Sequence, residues 1–356
     1  MQLTALHCLL ARYVGCDRLR SFSLDLVDEA GGSGHPKLKL THYRLPTRLR
    51  RFPISGKCTL MSADRPIRAL DHLVLPVADL ATARSRLTAL GFAVAPDGLH
   101  PFGTANCCVY LADGTFLEPL AVADAGVAGE ASRSGNVFTA RDAEYRLRSG
   151  NNGFSAVVVS TADAAADHRM FTSAGLSAGP ILEFSRPFVD AAGKRDTASF
   201  ALAFAAEPGQ TNLFFFAAQR VHVPQIDRSG LQQHANRVLG VREILLCAEQ
   251  PQTHSHVLAT VTGVTPRAAE DRSLDVVLGK ARLAVRAPAA LSEEIGIEAA
   301  SGANLTAVGI VFSVGALAST ASLLRSNGVH AVERAGRVVV PPAPGQGATF
   351  IFEAAR

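Results

Sequence analysis

The sequence predicts an α+β fold: four βαβββ units paired into two curled, cup-like mixed sheets, with helices on the convex faces. Three observations lead there. A pattern of strand, helix and Gly-closed turn recurs four times after Met61; hydrophobic residues are 48% and charged residues 19% of the 356 residues; and mean hydropathy is +0.18. This composition supplies a large core and excludes a disordered or collagen-like chain. At roughly 100–200 residues per domain, the length allows two or three domains.

The first unit opens with LDHLVLPVADLATARSRLTALGF at 70–92, where a β-rich run leads to Asp79, a helical pattern and then Gly91. FSAVVVSTADAAADHRMFTSAGL at 154–176 matches it without a gap and sets Asp163 under Asp79 and Gly175 under Gly91. The third and fourth units, 242–264 and 307–329, end in Gly263-Val264 and Gly328-Val329. Asp79 and Asp163 suit helix N-caps, because a carboxylate accepts from the first free helix amides. The four glycines suit the left-handed position that closes a helix.

Strand-like runs follow each glycine: Asn106–Ala112 and Thr115–Val122, Thr197–Ala206 and Thr211–Ala218, Ser273–Leu278 and Arg282–Arg286, Arg337–Val340 and Ala348–Phe352. The expected organisation is a paired unit at 63–220, a linker at 221–236 and a second paired unit at 237–356. Residues 1–62 read as a disordered or spurious extension, so truncation to Met61 is expected to leave fold and activity intact.

Charge supports that division. Residues 1–60 hold ten Lys or Arg against four acids, leaving 25 cations against 27 acids in 61–356. A body with no net basic face, 6% aromatics and no Trp argues against nucleic-acid binding. No run of 18 apolar residues predicts a membrane span. The six cysteines form no C-x-x-C pair, so no zinc site or disulfide framework is expected and the cytoplasm is the expected compartment.

The opening Leu70-Asp71-His72-Leu73-Val74, the segment His100-Pro-Phe-Gly-Thr-Ala-Asn106 and Phe116-Leu-Glu118-Pro-Leu120 carry a resemblance. With the fourfold repeat, they resemble the vicinal-oxygen-chelate superfamily, in its glyoxalase-like branch. The resemblance covers about 61–356 and is clearest in 67–122. It implies a divalent metal ion (Fe, Mn, Zn or Ni) acting on a small, partly apolar, oxygen-chelating substrate, in lyase, isomerase or dioxygenase chemistry. The same fold also serves metal-free binding and sequestering proteins.

His72 lies in an apolar strand, where alternation sets it on one face with Leu70 and Val74 and sets Asp71 on the other. A histidine there is often a satisfied core side chain, but Glu118 changes the balance. A carboxylate on an apolar strand is costly to bury unless it is paired or binds a cation. In the resembled family the first and last strands of a unit bring such residues together, so His72 and Glu118 are the candidate metal ligands. Imidazole and carboxylate suit those metals. Unit two departs from the pattern, with Ala156 under His72 and Phe214 under Glu118. A third ligand must come from elsewhere, or from substrate and water.

His100 and Glu118 are the candidate catalytic residues, and Asn106, Phe214, Phe216 and His234 the candidate substrate-binding residues. A turn at 100–106 can aim His100 and Asn106 into the cup, while Phe214 and Phe216 share a face and make it apolar. His234-Ala-Asn236 resembles a segment of the same branch. His254-x-His256 and Cys107-Cys108 are set aside. Helical residues two apart do not face each other, and neighbours on a strand point to opposite faces.

Overall fold

The computed structural model describes residues 67–189, 195–224, 227–298 and 302–355. The extension expected over 1–62 lies outside them.

Unit one comprises β1 (Leu70–Pro76), α1 (Leu80–Ala89), β2 (Gly98–Leu99), β3 (Thr104–Asn106), β4 (Val109–Tyr110) and β5 (Phe116–Val122), followed by α2 (Ala125–Arg133) and α3 (Val137–Ser149). Unit two comprises β6 (Ala156–Thr161), α4 (Ala164–Ser173), β7 (Leu182–Val189), β8 (Arg195–Ala205) and β9 (Phe214–His222). Unit three comprises β10 (Val238–Cys247), α5 (Ser255–Thr262), β11 (Arg267–Ala268), β12 (Leu274–Leu278) and β13 (Ala281–Arg286), followed by α6 (Pro288–Ile295). Unit four comprises β14 (Thr306–Val314), α7 (Leu317–Ser326), β15 (Val332–Arg334), β16 (Arg337–Val340) and β17 (Thr349–Ala354).

Units one and two form one mixed sheet in the order β2-β3-β5-β1-β6-β9-β8-β7, with β4 also on β5. Units three and four form the other, β11-β12-β13-β10-β14-β17-β16-β15. Within each unit the first strand runs parallel to the last, and the first strands of paired units run antiparallel. The expected two-sheet architecture is therefore present.

The caps form as the sequence predicts. Asp79 accepts from the Thr82 amide and Asp163 from the Ala166 amide. Gly91, Gly175, Gly263 and Gly328 take positive φ between 70° and 84°. Leu73, Leu87 and Phe92 of unit one join Ile244, Phe312 and Phe350 of the other sheet in one buried cluster, so the two sheets share a core.

Three features depart from expectation. The run expected as a strand at Asn106–Ala112 is broken into β3 and β4, with Cys107-Cys108 between them. Helices α2, α3 and α6 follow the last strands of units one and three, where the repeat pattern predicts none. The β1–β6 pairing also shifts register between Leu70 and His72. That bulge inserts one residue and resets the side-chain alternation. Leu70 therefore joins the convex-face core with Leu73 and Leu75, while Asp71 and His72 both line the cup.

Candidate active site

The concave face of the first sheet encloses about 120 Å³ of free space. A cavity of roughly 150 Å³ accommodates benzene. The walls are aromatic, with Phe102, Phe138, Phe184, Phe200 and Phe216 among the lining residues. Phe138 comes from α3, so the unexpected helical segment closes one side.

A buried polar cluster lies against these walls. His72, on β1, pairs in register with Phe116 of β5, and the two rings stack at 4.4 Å. Glu118 is two residues further along β5, on the same face. His72 Nδ1 lies 2.7 Å from Asp71 Oδ1, and its Nε2 lies 3.3 Å from Glu118 Oε2. Asn106, on β3, donates from Nδ2 to Glu118 Oε1 at 2.7 Å, and the same nitrogen is 3.3 Å from His100 Nε2. His100 Nδ1 contacts Thr104 Oγ1 at 2.8 Å, and Arg220, on β9, donates to Asp71 Oδ2 at 2.8 Å. The chain of contacts thus runs from Arg220 through Asp71, His72, Glu118 and Asn106 to His100.

The electrostatics follow from this network. Burial alone would raise the Glu118 pKa, but the His72 hydrogen bond and the neighbouring imidazoles and amide hold it at about 2. Burial opposes protonation of His72, yet Asp71 and Glu118 hold its pKa above the ordinary value. His100 has weaker anionic support, and burial pushes it down to about 4. At neutral pH the cup therefore holds an ionised carboxylate and a neutral His100 imidazole, beside a His72 ring that gives up its proton less readily than a free one.

Of the residues singled out from sequence, His72, His100, Asn106, Glu118 and Phe216 meet in the cup. Phe214 lies beside Phe216 on the same face of β9, centroids 6.0 Å apart, in the apolar cluster that adjoins the cup and not among its lining residues. His234 is a correction. The structure places it outside the cup, where its Nδ1 accepts from the Ala93 amide at 3.0 Å and its Nε2 lies 3.0 Å from the Tyr110 carbonyl oxygen. With both ring nitrogens on backbone and the ring edge-on to Phe92, it joins the start of the third unit to the first. Sequence reasoning missed Asp71, Arg186, Arg220 and Arg228, all of which line the cavity. The bulge explains Asp71, while the arginines reach the cup only through pairing of distant strands.

The fit of a divalent metal ion turns on the donors. Among the described residues, no three His, Cys, Asp or Glu side chains are disposed as a ready-made ion site. His72 Nε2 and Glu118 Oε2 nevertheless stand at the separation of two neighbouring ligands on one ion, about 3 Å for bonds of roughly 2.1 Å. Asp71 at Nδ1 is the outer carboxylate that orients a metal-bound imidazole. His100 Nε2 is 3.7 Å from Glu118 Oε1, and the Asn106 amide contacts both. The residues fit an ion held by His72 and Glu118, with His100 as the nearest further donor.

The profile of the glyoxalase-like domain matches residues 70–262, more than half of the chain and all of the first cup. The chain belongs to the glyoxalase-like domain family. This places it in the vicinal-oxygen-chelate superfamily. Among solved structures, a hypothetical protein from Staphylococcus aureus aligns with a TM-score of 0.56 at 12% identity, covering 81% of this chain and 100% of that one. A triple mutant of 4-hydroxymandelate synthase from Streptomyces coelicolor aligns with a TM-score of 0.55 at 12% identity, covering 81% and 93%. At such identities the likeness concerns the fold. No curated protein sequence matches significantly. Among the described residues no helix is long and apolar enough to cross a membrane.

Proposed function

We propose that this glyoxalase-like protein is an enzyme acting on a small, partly apolar, oxygen-bearing molecule held in the first cup. The carrying observation is the convergence of His72, His100, Asn106 and Glu118, from three separate stretches of unit one, on one aromatic-walled cavity. Buried polar clusters of this kind cost folding energy, and they concentrate where chemistry needs them.

In this reading His72 and Glu118 hold a divalent cation of the Fe, Mn, Zn or Ni group. When bound, it supplies Lewis acidity towards two neighbouring substrate oxygens. The chain's own residues do the rest. Asp71 fixes the ring plane of His72, and Arg220 fixes Asp71. His72 and, from the other side, Asn106 hold the Glu118 carboxylate ionised. His100, neutral and tied to Thr104, presents Nε2 as an acceptor beside the substrate. The aromatic walls exclude water from the reacting carbon. Because the pKa of His72 is raised, a proton competes with a cation for the ring up to a higher pH than on a free imidazole, and metal uptake is expected to strengthen as pH rises.

A second reading is supported by the completeness of the network. None of the site's buried side-chain nitrogen or oxygen atoms is without a hydrogen-bond partner. On this reading the cup sequesters an apolar compound, and His72 and Glu118 simply bond to each other. Metal analysis of the purified chain, as isolated and after incubation with Mn, Fe, Ni or Zn, decides between the two. One bound ion per chain, lost in His72→Ala, is expected; metal-free protein under every loading condition overturns the metal-dependent enzyme in favour of sequestration.

A further inference from the structure

We infer that the cup selects ligands carrying a carboxylate, which Arg186 and Arg228 receive in the part of the cavity lined by Tyr110 and Phe200. The inference rests on the first cup being a ligand site, and it adds the chemical class of the ligand.

Seven side chains with ionisable acidic or basic groups line the cavity apart from Cys108 and Tyr110: Asp71, His72, His100 and Glu118 in the network, and Arg186, Arg220 and Arg228 beyond it. Arg220 is committed to Asp71 at 2.8 Å. The other two guanidinium groups carry no ion pair among the described residues. Arg186 projects from β7 across the cup, its Nη1 so close to Gly98 that a Cβ there would stand 2.4 Å away. It also lies over the Phe200 ring, 6.0 Å from the centroid. Arg228 lies over the Tyr110 ring, 4.7 Å from the centroid.

Both cations come from unit two and the chain just after it, one on β7 and one beyond the end of β9. Both act electrostatically on the half-buried Tyr110, which places them around a common region. Each guanidinium lies over an aromatic face, and among the described residues neither donates a hydrogen bond. Such groups match the two oxygens of a carboxylate, and a partly desolvated pair favours an anion over its neutral isostere. The dimensions set the remainder of the ligand. Free space of about 120 Å³ between phenylalanine rings suits a body close to one aromatic ring.

The test uses phenylacetate and its neutral isostere phenylacetamide, titrated calorimetrically into the full chain at fixed ionic strength. Phenylacetate is expected to bind at least tenfold tighter. In the double variant Arg186→Gln with Arg228→Gln the preference is expected to shrink below twofold, while Arg186→Lys with Arg228→Lys retains most of it. The Lys pair separates loss of charge from loss of fold. Equal binding of acid and amide, no binding of either, or a preference surviving the Gln substitutions overturns the inference. Metal content reads the other proposal separately. Metal-free protein that still prefers the acid defeats the metal-dependent enzyme and leaves this inference standing, whereas metal-bearing protein without the preference defeats this inference alone.

Discussion

The two sheets share a topology but fill their cups differently. In the first, β1 and β5 set Val74 opposite Glu118 and His72 opposite Phe116, and the cup keeps a cavity with a polar network. In the second, the corresponding pairs of β10 and β13 are Leu245 opposite Ala284 and Glu243 opposite Arg282. The carboxylate position has become a methyl, and Glu243 is paired with Arg282 at 2.9 Å. The helix after the last strand also differs in effect. Phe138 of α3 borders the first cavity, whereas Leu291 and Ile295 of α6 sit in an apolar cluster with Leu245, Val311 and Ile351. One backbone plan thus makes either a site or a plug, and a few side chains at fixed register positions decide which.

The strongest way to break this contrast is to remove the first cup's carboxylate. Glu118→Ala leaves His72 and Asn106 buried without their partner. It is expected to cost about 3–5 kcal/mol, the range for breaking a buried ion pair, and to abolish metal uptake. Making the site apolar on both sides, with His72→Leu and Glu118→Leu together, is expected to recover most of that stability without recovering metal. Urea denaturation and metal analysis read the two effects. A single variant as stable as the parent would show that the network carries no structural weight.

The converse change probes the plug. Leu291→Ala removes a fully buried side chain from the second cup and is expected to cost about 2–5 kcal/mol through lost burial and the cavity left behind. Ligand binding in the first cup should be unchanged within twofold. An altered affinity for a first-cup ligand would mean that the cups are energetically coupled through their shared core.

Much of this contrast was legible in the sequence. The glycines that close four helices set the repeat, and the repeat implied the paired sheets. His72, Asn106 and Glu118 stood out because polar groups interrupt apolar strands, and His100 because it shares a turn with Asn106. Asp71 did not, since strict alternation turns it away from His72 and only the bulge between Leu70 and His72 brings it round. Arg186 and Arg228 belong to no local motif. Their place depends on β7 and the chain after β9 curling over unit one. His234 misled because a short His-x-Asn segment says nothing about which backbone groups will claim its ring.

A smaller effect separates the cups by pH. His100, at about 4 in the fold, is depressed from an ordinary value of 6.5. Between those values the unfolded chain binds a proton that the folded chain refuses, so stability falls as pH falls across that window. The loss is on the order of 3 kcal/mol for this group. His72 works in the opposite sense at higher pH. Its stabilisation is complete below 6.5 and is lost as pH rises through its raised value. Glu118, with its lowered pKa, loses its contribution only as pH falls from the ordinary 4.5 towards 2. Urea midpoints at pH 7 and 4.5 should therefore converge in His100→Phe. An unchanged slope in that variant would assign the acid sensitivity elsewhere.

The smallest predicted effect uses one cysteine from each cup. Cys108 lines the first cavity, and Cys247 lies in the apolar cluster of the second. Burial raises the Cys247 thiol to about 11, and deeper burial with Glu118 nearby raises Cys108 further. Since the thiolate is the reactive form, a pKa of about 11 leaves about one thiolate in a thousand at pH 8, so both residues should resist iodoacetamide in the native chain and react fully in urea. Peptide mass spectrometry reads the two sites separately. Rapid native labelling of Cys108 with Cys247 still protected would mean that the first cup opens to water far enough to ionise a thiol beside a carboxylate. The aromatic walls would then not exclude solvent, and the proposed chemistry would lose the dry setting on which it depends.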